Sequence, residues 1–351
     1  MSSLKPLSVN WWLGNFIEYT AFPAVNCYVI ISGYFLCTSK FRIKKLVDLC
    51  IQVFIYSFVF YIIGSLVNLQ LLNPRDLIKA IFPIPTNYLW FATVYLGLYC
   101  CVPFLNISIY SISERQFRYL LLTFFIFLSF LPSITLMYDP VGGSKGFSLI
   151  WFIFLYYSAA YIRLYTDTDN TKISQFVLLT IFFLATLALV LCKGFVQPYM
   201  RDILNTKYRF NLFYGYTSPL VLMQSISIFC FFRNLKVRSY SVQKSVSLVS
   251  PLLFGVYLYH NHPAVRDIIW KHIFTPAQYA DSPNMIPYLL FAVSSVFIAG
   301  LLIDYVRLKI NSFINRTSIS TAICNRLYLI NFISSMESIE PYHVAQTPKN
   351  N

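Results

Sequence analysis

What most limits the fold of this chain is the recurrence of uninterrupted apolar blocks, each close to the ~20 residues a helix needs to cross a hydrocarbon core about 30 Å thick at about 1.5 Å per residue. One anchor would need one such block. The repetition predicts about nine spans, near residues 22–37, 46–69, 88–110, 119–137, 147–164, 173–192, 210–232, 246–260 and 286–305. The stretch 77–85, which carries Pro83 and Pro85, reads as interfacial or re-entrant. Only helices and closed barrels satisfy their backbone in lipid, and barrel strands alternate apolar with polar residues. Runs such as Phe124-Phe125-Ile126-Phe127-Leu128 are apolar on every side, so the expected fold class is all-α, a polytopic transmembrane helical bundle. The balance of side chains agrees: 57% are hydrophobic and 11% charged, with 33 Phe and 27 Tyr, more apolar than a water-soluble domain needs.

The formal net charge is +14. In a soluble protein this would suggest a nucleic-acid partner, but here Lys and Arg gather in short loops between apolar blocks, where topology accounts for them and no nucleic acid is needed. The most basic loops are 40–45, with Lys40, Arg42, Lys44 and Lys45, and 233–244, with Arg233, Lys236, Arg238 and Lys244. The positive-inside rule assigns both to the cytoplasm, and an even number of crossings between them agrees. That parity leaves the amino terminus outside and the carboxyl terminus inside. One loop dissents, because 193–209 would be external yet carries Lys193, Arg201, Lys207 and Arg209. Residues 1–310 are expected to form the transmembrane domain and 311–351 a cytoplasmic tail lying partly on the membrane. The opening residues lack a basic region leading into an apolar core, so they do not read as a cleavable signal peptide.

Few side chains in the apolar blocks carry chemistry. His260 and His262 close the block 252–263, and polar groups at membrane depth mark pathways or sites as often as they serve packing. Imidazole suits general-base work at neutral pH, which makes His260 the candidate catalytic group. Residues at i and i+2 do not share a helix face and Pro263 follows at once, so no metal site is expected from this pair. Glu18, Asp48, Gln52, Asn106, Gln224 and Asp304 read as helix-to-helix hydrogen-bonding groups. The eight cysteines lie mostly in apolar blocks without Cys-x-x-Cys spacing and read as small packing residues. Clustered cations before Asp48 suit the phosphates of a nucleotide-containing donor, although such clusters also serve only to set orientation. Composition leaves an enzyme, a transporter and an anchor open.

The stretch 22–36, Phe-Pro-Ala-Val-Asn-Cys-Tyr-Val-Ile-Ile-Ser-Gly-Tyr-Phe-Leu, is followed by Ser39-Lys40-Phe41-Arg42-Ile43-Lys44-Lys45. It resembles the Ser-Gly-Tyr span and basic loop of the acyltransferase 3 family, through Ser32, Gly33 and Tyr34. Further matches are Trp90 and Phe91 leading to Pro103-Phe104-Leu105-Asn106, then Ser218-Pro219-Leu220, then Gly255-Val256-Tyr257-Leu258-Tyr259-His260. They follow the family's order over most of 22–305. The resemblance implies a multi-pass protein of a bacterial inner (plasma) membrane. It would move an acyl group, commonly acetyl from acetyl-CoA, to a hydroxyl of a surface or exopolysaccharide sugar. Its partners would be acyl-CoA as donor substrate, a saccharide acceptor and the lipid bilayer, with no bound cofactor and no metal.

By the same resemblance Arg42 and Lys45, with Lys44 beside them, are the donor-binding candidates, though Arg-x-x-Lys departs from the family's Arg-x-x-Arg. The family also opens with a helix bearing an Arg and, about ten residues later, a catalytic His. Residues 1–17 contain neither an Arg nor a His. The expectation from sequence is therefore that this leading helix is missing, with His260 the best substitute base, and that the chain is inactive until the helix is restored. An inactive truncated relative, or a transporter or polymerase of surface polysaccharide, is the alternative reading.

Overall fold

The computed structural model describes residues 4–67, 73–134, 142–166, 173–199 and 215–314, with the isolated positions 326, 336 and 337. Of the described residues 83% are helical and none lies in a strand, so the all-α polytopic architecture holds. Chain order is α1 (Val9–Ala21), α2 (Ala24–Leu36), α3 (Ile43–Val67), α4 (Pro74–Ile81), α5 (Trp90–Ser111), α6 (Glu114–Phe125) and α7 (Leu131–Ile134). Then follow α8 (Leu149–Tyr165), α9 (Gln175–Leu191), α10 (Pro219–Asn234), α11 (Tyr240–Val249), α12 (Leu253–Asn261), α13 (Pro263–Ile268) and α14 (Met285–Ile314). Local chemistry sets the ends. Asn73 accepts a hydrogen bond from the Arg75 amide ahead of Pro74, and Ser113 with Gln116 forms a capping box at the start of α6. Pro219 and Pro263 open their helices, where a missing amide proton costs nothing.

Six segments are long and apolar enough to cross a membrane: Val9–Leu36, Ile43–Val67, Trp90–Ser111, Glu114–Ile134, Gln175–Tyr199 and Met285–Ile310. Five of them coincide with expected spans. The first differs, since α1 precedes the expected span at 22–37 and runs on into α2 past the break at Pro23. Helix α8 matches 147–164 but is shorter. The expected span 210–232 corresponds to α10, with 210–214 outside the described residues. The block 246–260 is not one helix. It divides into α11, a 3-10 turn over Ser250–Leu252 and α12, because Pro251 has no amide proton to continue the ladder. The proline-containing stretch 77–85 holds the end of short α4 and the turn beyond it. Most of the expected tail, and 200–209 of the dissenting basic loop, lie outside the described residues.

The chain forms two compact units. Unit 1 comprises Met1–Gly14, Ile43–Leu96 and Lys236–Ile330; unit 2 comprises Asn15–Arg42, Gly97–Leu235 and Asn331–Asn351. In unit 1, α3 packs on α4, α12 and α13, while α12 packs on α14. In unit 2, α2 packs on α8 and α10, and α10 on α9. Both units bury polar groups among apolar ones and expose large apolar side chains, as a bundle solvated by lipid requires. Asn26, Asn106, Gln224, His262 and Asp304 are buried, whereas Phe35, Leu66, Phe176 and Leu302 face outward.

Candidate functional site

The chemistry-bearing side chains of unit 1 follow one another along α3. Lys44 and Lys45 stand exposed in its first turn. Two turns on, Gln52 and Tyr56 reach Asp304 of α14. Asp304 Oδ1 accepts from Tyr56 Oη at 2.6 Å, Gln52 Nε2 at 3.3 Å and Arg307 Nε at 2.6 Å, and Oδ2 accepts from Arg307 Nη2 at 2.9 Å. Asp304 is 0% exposed. A carboxylate at such depth persists only when paired and hydrogen-bonded, and this one is both. Gly255 of α12 makes room for it, because a Cβ there would overlap the Asp304 carboxylate. A cavity of about 260 Å³, bounded by Asp48, Gln52, Tyr56 and Arg307 among aliphatic side chains, opens beside the cluster.

The next turn of α3 meets His262. His262 caps α12, is 0% exposed and brings Nε2 to 3.1 Å from the Ser57 carbonyl. A carbonyl only accepts, so Nε2 carries the proton and Nδ1 is the basic nitrogen. That Nδ1 is buried without a hydrogen-bond partner, as is Ser57 Oγ. The His262 ring lies against Phe60 and edge-on to Tyr88, with centroids 6.0 and 5.3 Å apart. His260, in the last turn of α12, places Nδ1 2.7 Å from the Val256 carbonyl, which fixes its proton there and leaves Nε2 basic. The two rings thus engage different helices and do not converge. No group of three or more metal-ligating side chains occurs among the described residues.

Beyond the histidines lies a larger cavity, about 930 Å³, between the far end of α3, the α4 region and α13. It is lined by Tyr61, Asn87 and Tyr88 and by the ion pairs Asp76–Lys79, at 2.9 Å, and Asp267–Lys271, at 2.6 Å. Sequence reasoning gave His262 no role of its own. The available signal was its position directly before Pro263, where a helix must start afresh.

In unit 2 the remaining sequence candidates hold helices together. Gly33 lets α2 approach α8 so closely that a Cβ would lie 3.0 Å from Ala159 Cβ and from Tyr156 Cα. Tyr34 Oη accepts from Arg163 Nη1 at 2.8 Å, and the guanidinium sits 4.7 Å from the ring centroid. Asn106 accepts from Tyr156 Oη at 2.6 Å and donates to the Leu36 carbonyl at 3.2 Å. Ser32 is half-buried in the same helix. Gln224 donates to the Tyr19 carbonyl and to Thr186 Oγ1, and Glu18 pairs with Lys193 at 3.2 Å. These polar groups, like Gln52 and Asp304 in unit 1, are the interhelical contacts expected of them. Arg42 has its amide and carbonyl both held by the Tyr99 hydroxyl, at 3.4 and 3.1 Å, while the residue remains exposed. In unit 1, Phe91 packs edge-on to Tyr257 at 5.2 Å, and Trp90 lies beside Phe91.

The acyltransferase 3 family model, described as an acyltransferase domain, matches residues 3–305. No curated protein and no solved structure matches the chain.

Proposed function

Because the chain belongs to the acyltransferase 3 family and is a multi-pass membrane protein, we propose that it transfers an acetyl group from acetyl-CoA to a hydroxyl of a cell-surface or exopolysaccharide sugar in a bacterial inner membrane. The observation that carries this reading is the family match over nearly the whole helical region. Within it, the basic run Arg42, Lys44 and Lys45 is exposed and suits the phosphates of the donor. The positive-inside rule puts that run in the cytoplasm, where acetyl-CoA is made. The acceptor oxygen attacks the thioester carbonyl carbon, the carbon–sulfur bond breaks, and the departing thiolate takes up the proton removed from the hydroxyl. His260 is the proposed base, with Nε2 free to receive that proton because Nδ1 donates to Val256.

The test uses sealed membrane vesicles containing the protein, with acetyl-labelled acetyl-CoA supplied on one face at a time. The expected result is consumption from the cytoplasmic face only, with alkali-labile label appearing in carbohydrate. No consumption above vesicles lacking the protein would refute the reading. Arg42→Gln with Lys45→Gln should raise the donor KM by about tenfold or more, since each charge-assisted contact contributes roughly 1.5 to 3 kcal/mol. His260→Ala should lower kcat about 100- to 10,000-fold. If His260→Ala is fully active and His262→Ala is not, the proton-accepting role moves to His262.

A further inference from the structure

The groove of about 260 Å³ beside the Asp304 cluster has two kinds of wall. On α3, Ile51, Ile55 and Val59 recur at every fourth position, and on α14, Ile303, Val306 and Ile310 stand three and four positions apart, so each helix presents one aliphatic strip to the space. Ile55, Val59, Val306 and Ile310 are exposed although large and apolar. Water in such a strip would find few partners, whereas a hydrocarbon chain needs none. From Asp48 to Phe60 the α3 wall rises about 18 Å, close to the ~15 Å of hydrocarbon in one leaflet.

The two ends of the groove differ in charge. Lys44 and Lys45 precede Asp48 by four and three positions, which sets them on the groove side of α3 in the turn before its aliphatic strip, and both are exposed. Two cations there face one carboxylate, since Arg307 is held by Asp304. Among the described residues, no charged side chain lines the groove beyond Tyr56 on α3. The positive-inside rule puts the lysine end at the cytoplasmic leaflet, whose surface carries the anionic lipids. A cationic mouth on an aliphatic groove of one leaflet's depth is complementary to an acyl chain that carries a negative head group.

We propose that the groove between α3 and α14 binds an anionic phospholipid of the cytoplasmic leaflet, with one acyl chain along Ile51, Ile55 and Val306 and the phosphate at Lys44 and Lys45. Bulk lipid wetting an apolar surface has neither a fixed place nor a preferred head group; this site has both. Each juxtamembrane lysine favours anionic lipid about fivefold, and with Asp48 opposing them the pair should give a preference over phosphatidylcholine of about tenfold. The lysines are also the donor candidates, so the experiment contains no acetyl-CoA and its outcome does not depend on acyl transfer.

The full chain is placed in phosphatidylcholine vesicles with a trace of phosphatidylglycerol bearing a diazirine in its acyl chain, and the cross-linked peptides are mapped by mass spectrometry. Label should concentrate on 51–60 and 303–310 and be sparse on the outward face of α9, at Phe176 and Leu184. Replacing a third of the phosphatidylcholine by unlabelled phosphatidylglycerol should lower groove labelling about threefold, as a tenfold preference requires, and leave α9 unchanged. Lys44→Gln with Lys45→Gln should abolish that response. Val306→Trp and, separately, Ile55→Trp fill the groove from exposed positions and should lower its labelling while the melting temperature holds. Equal labelling of the groove and α9, or no response to unlabelled phosphatidylglycerol, would leave bulk lipid only and overturn the proposal. Undiminished groove labelling in both folded tryptophan variants would overturn it as well.

Discussion

Unit 1 contains two acid–base pairs with the same spacing along a helix, Asp304–Arg307 and Asp76–Lys79, and they sit in opposite environments. In the first, the carboxylate is fully buried and the Arg side chain 16% exposed; in the second, the side chains are 33% and 46% exposed. Sequence spacing alone would rank them equal. Burial makes the first pair part of the packing, since four hydrogen bonds from three residues complete its carboxylate and nothing remains for a ligand. Exposure leaves the second pair weakly coupled and screened by solvent. The comparison separates what holds the bundle from what lines the cavity, and each consequence can be measured.

The largest expected effect comes from Asp304→Ala, which leaves the Arg307 charge stranded near the core. Breaking a buried pair from one side typically costs about 3 to 5 kcal/mol. Detergent-solubilised protein should show a large fall in melting temperature or no folded peak. Replacing both residues, Asp304→Leu with Arg307→Met, should recover most of the loss. If the single change is harmless, the cluster does not hold α14 to α3.

Next is Gly255→Ala. Its new methyl group would occupy the space of the Asp304 carboxylate, so either α12 or the cluster must shift. Forcing atoms into a filled space costs about 1 to 3 kcal/mol. The telling result is dependence on the partner: the penalty should shrink in the Asp304→Ala background. Equal penalties in both backgrounds would show that the two positions do not interact.

How much of this was legible beforehand follows the physics of each feature. Helices α3, α5, α9 and α14 are long apolar runs, and length with hydropathy is a local property. Helix α1 was not seen as part of a span because Asn10, Gly14, Asn15 and Glu18 interrupt its apolar pattern. The block at 246–260 looked continuous because hydropathy does not register the amide proton that Pro251 lacks. Asp304 was recognisable as an interhelical hydrogen-bonding group, but its partners Gln52 and Tyr56 lie 252 and 248 positions away, a pairing that only three-dimensional packing reveals. The same holds for the His262 contact with Ser57, 205 positions distant, and this is why His260 drew the attention and its neighbour did not.

A smaller effect on stability is expected from His262→Phe. The change removes the unmatched Nδ1, worth about 1 to 3 kcal/mol, and gives up one hydrogen bond, worth about 0.5 to 1.5 kcal/mol, to the Ser57 carbonyl, which lies inside α3 and keeps its helical partner. Melting temperature should therefore move little. A large loss of stability would place His262 with Asp304 among the packing groups.

The smallest effect tests the exposed member of the opening comparison. Lys79→Gln removes one charge from the pair with Asp76 but keeps hydrogen-bond donors at the same place. Solvent screens this pair, whose stability contribution should be below about 1 kcal/mol and should fade further as salt is raised. Melting curves of Lys79→Gln and the unaltered protein should accordingly converge at high ionic strength, whereas those of Asp304→Ala should stay apart.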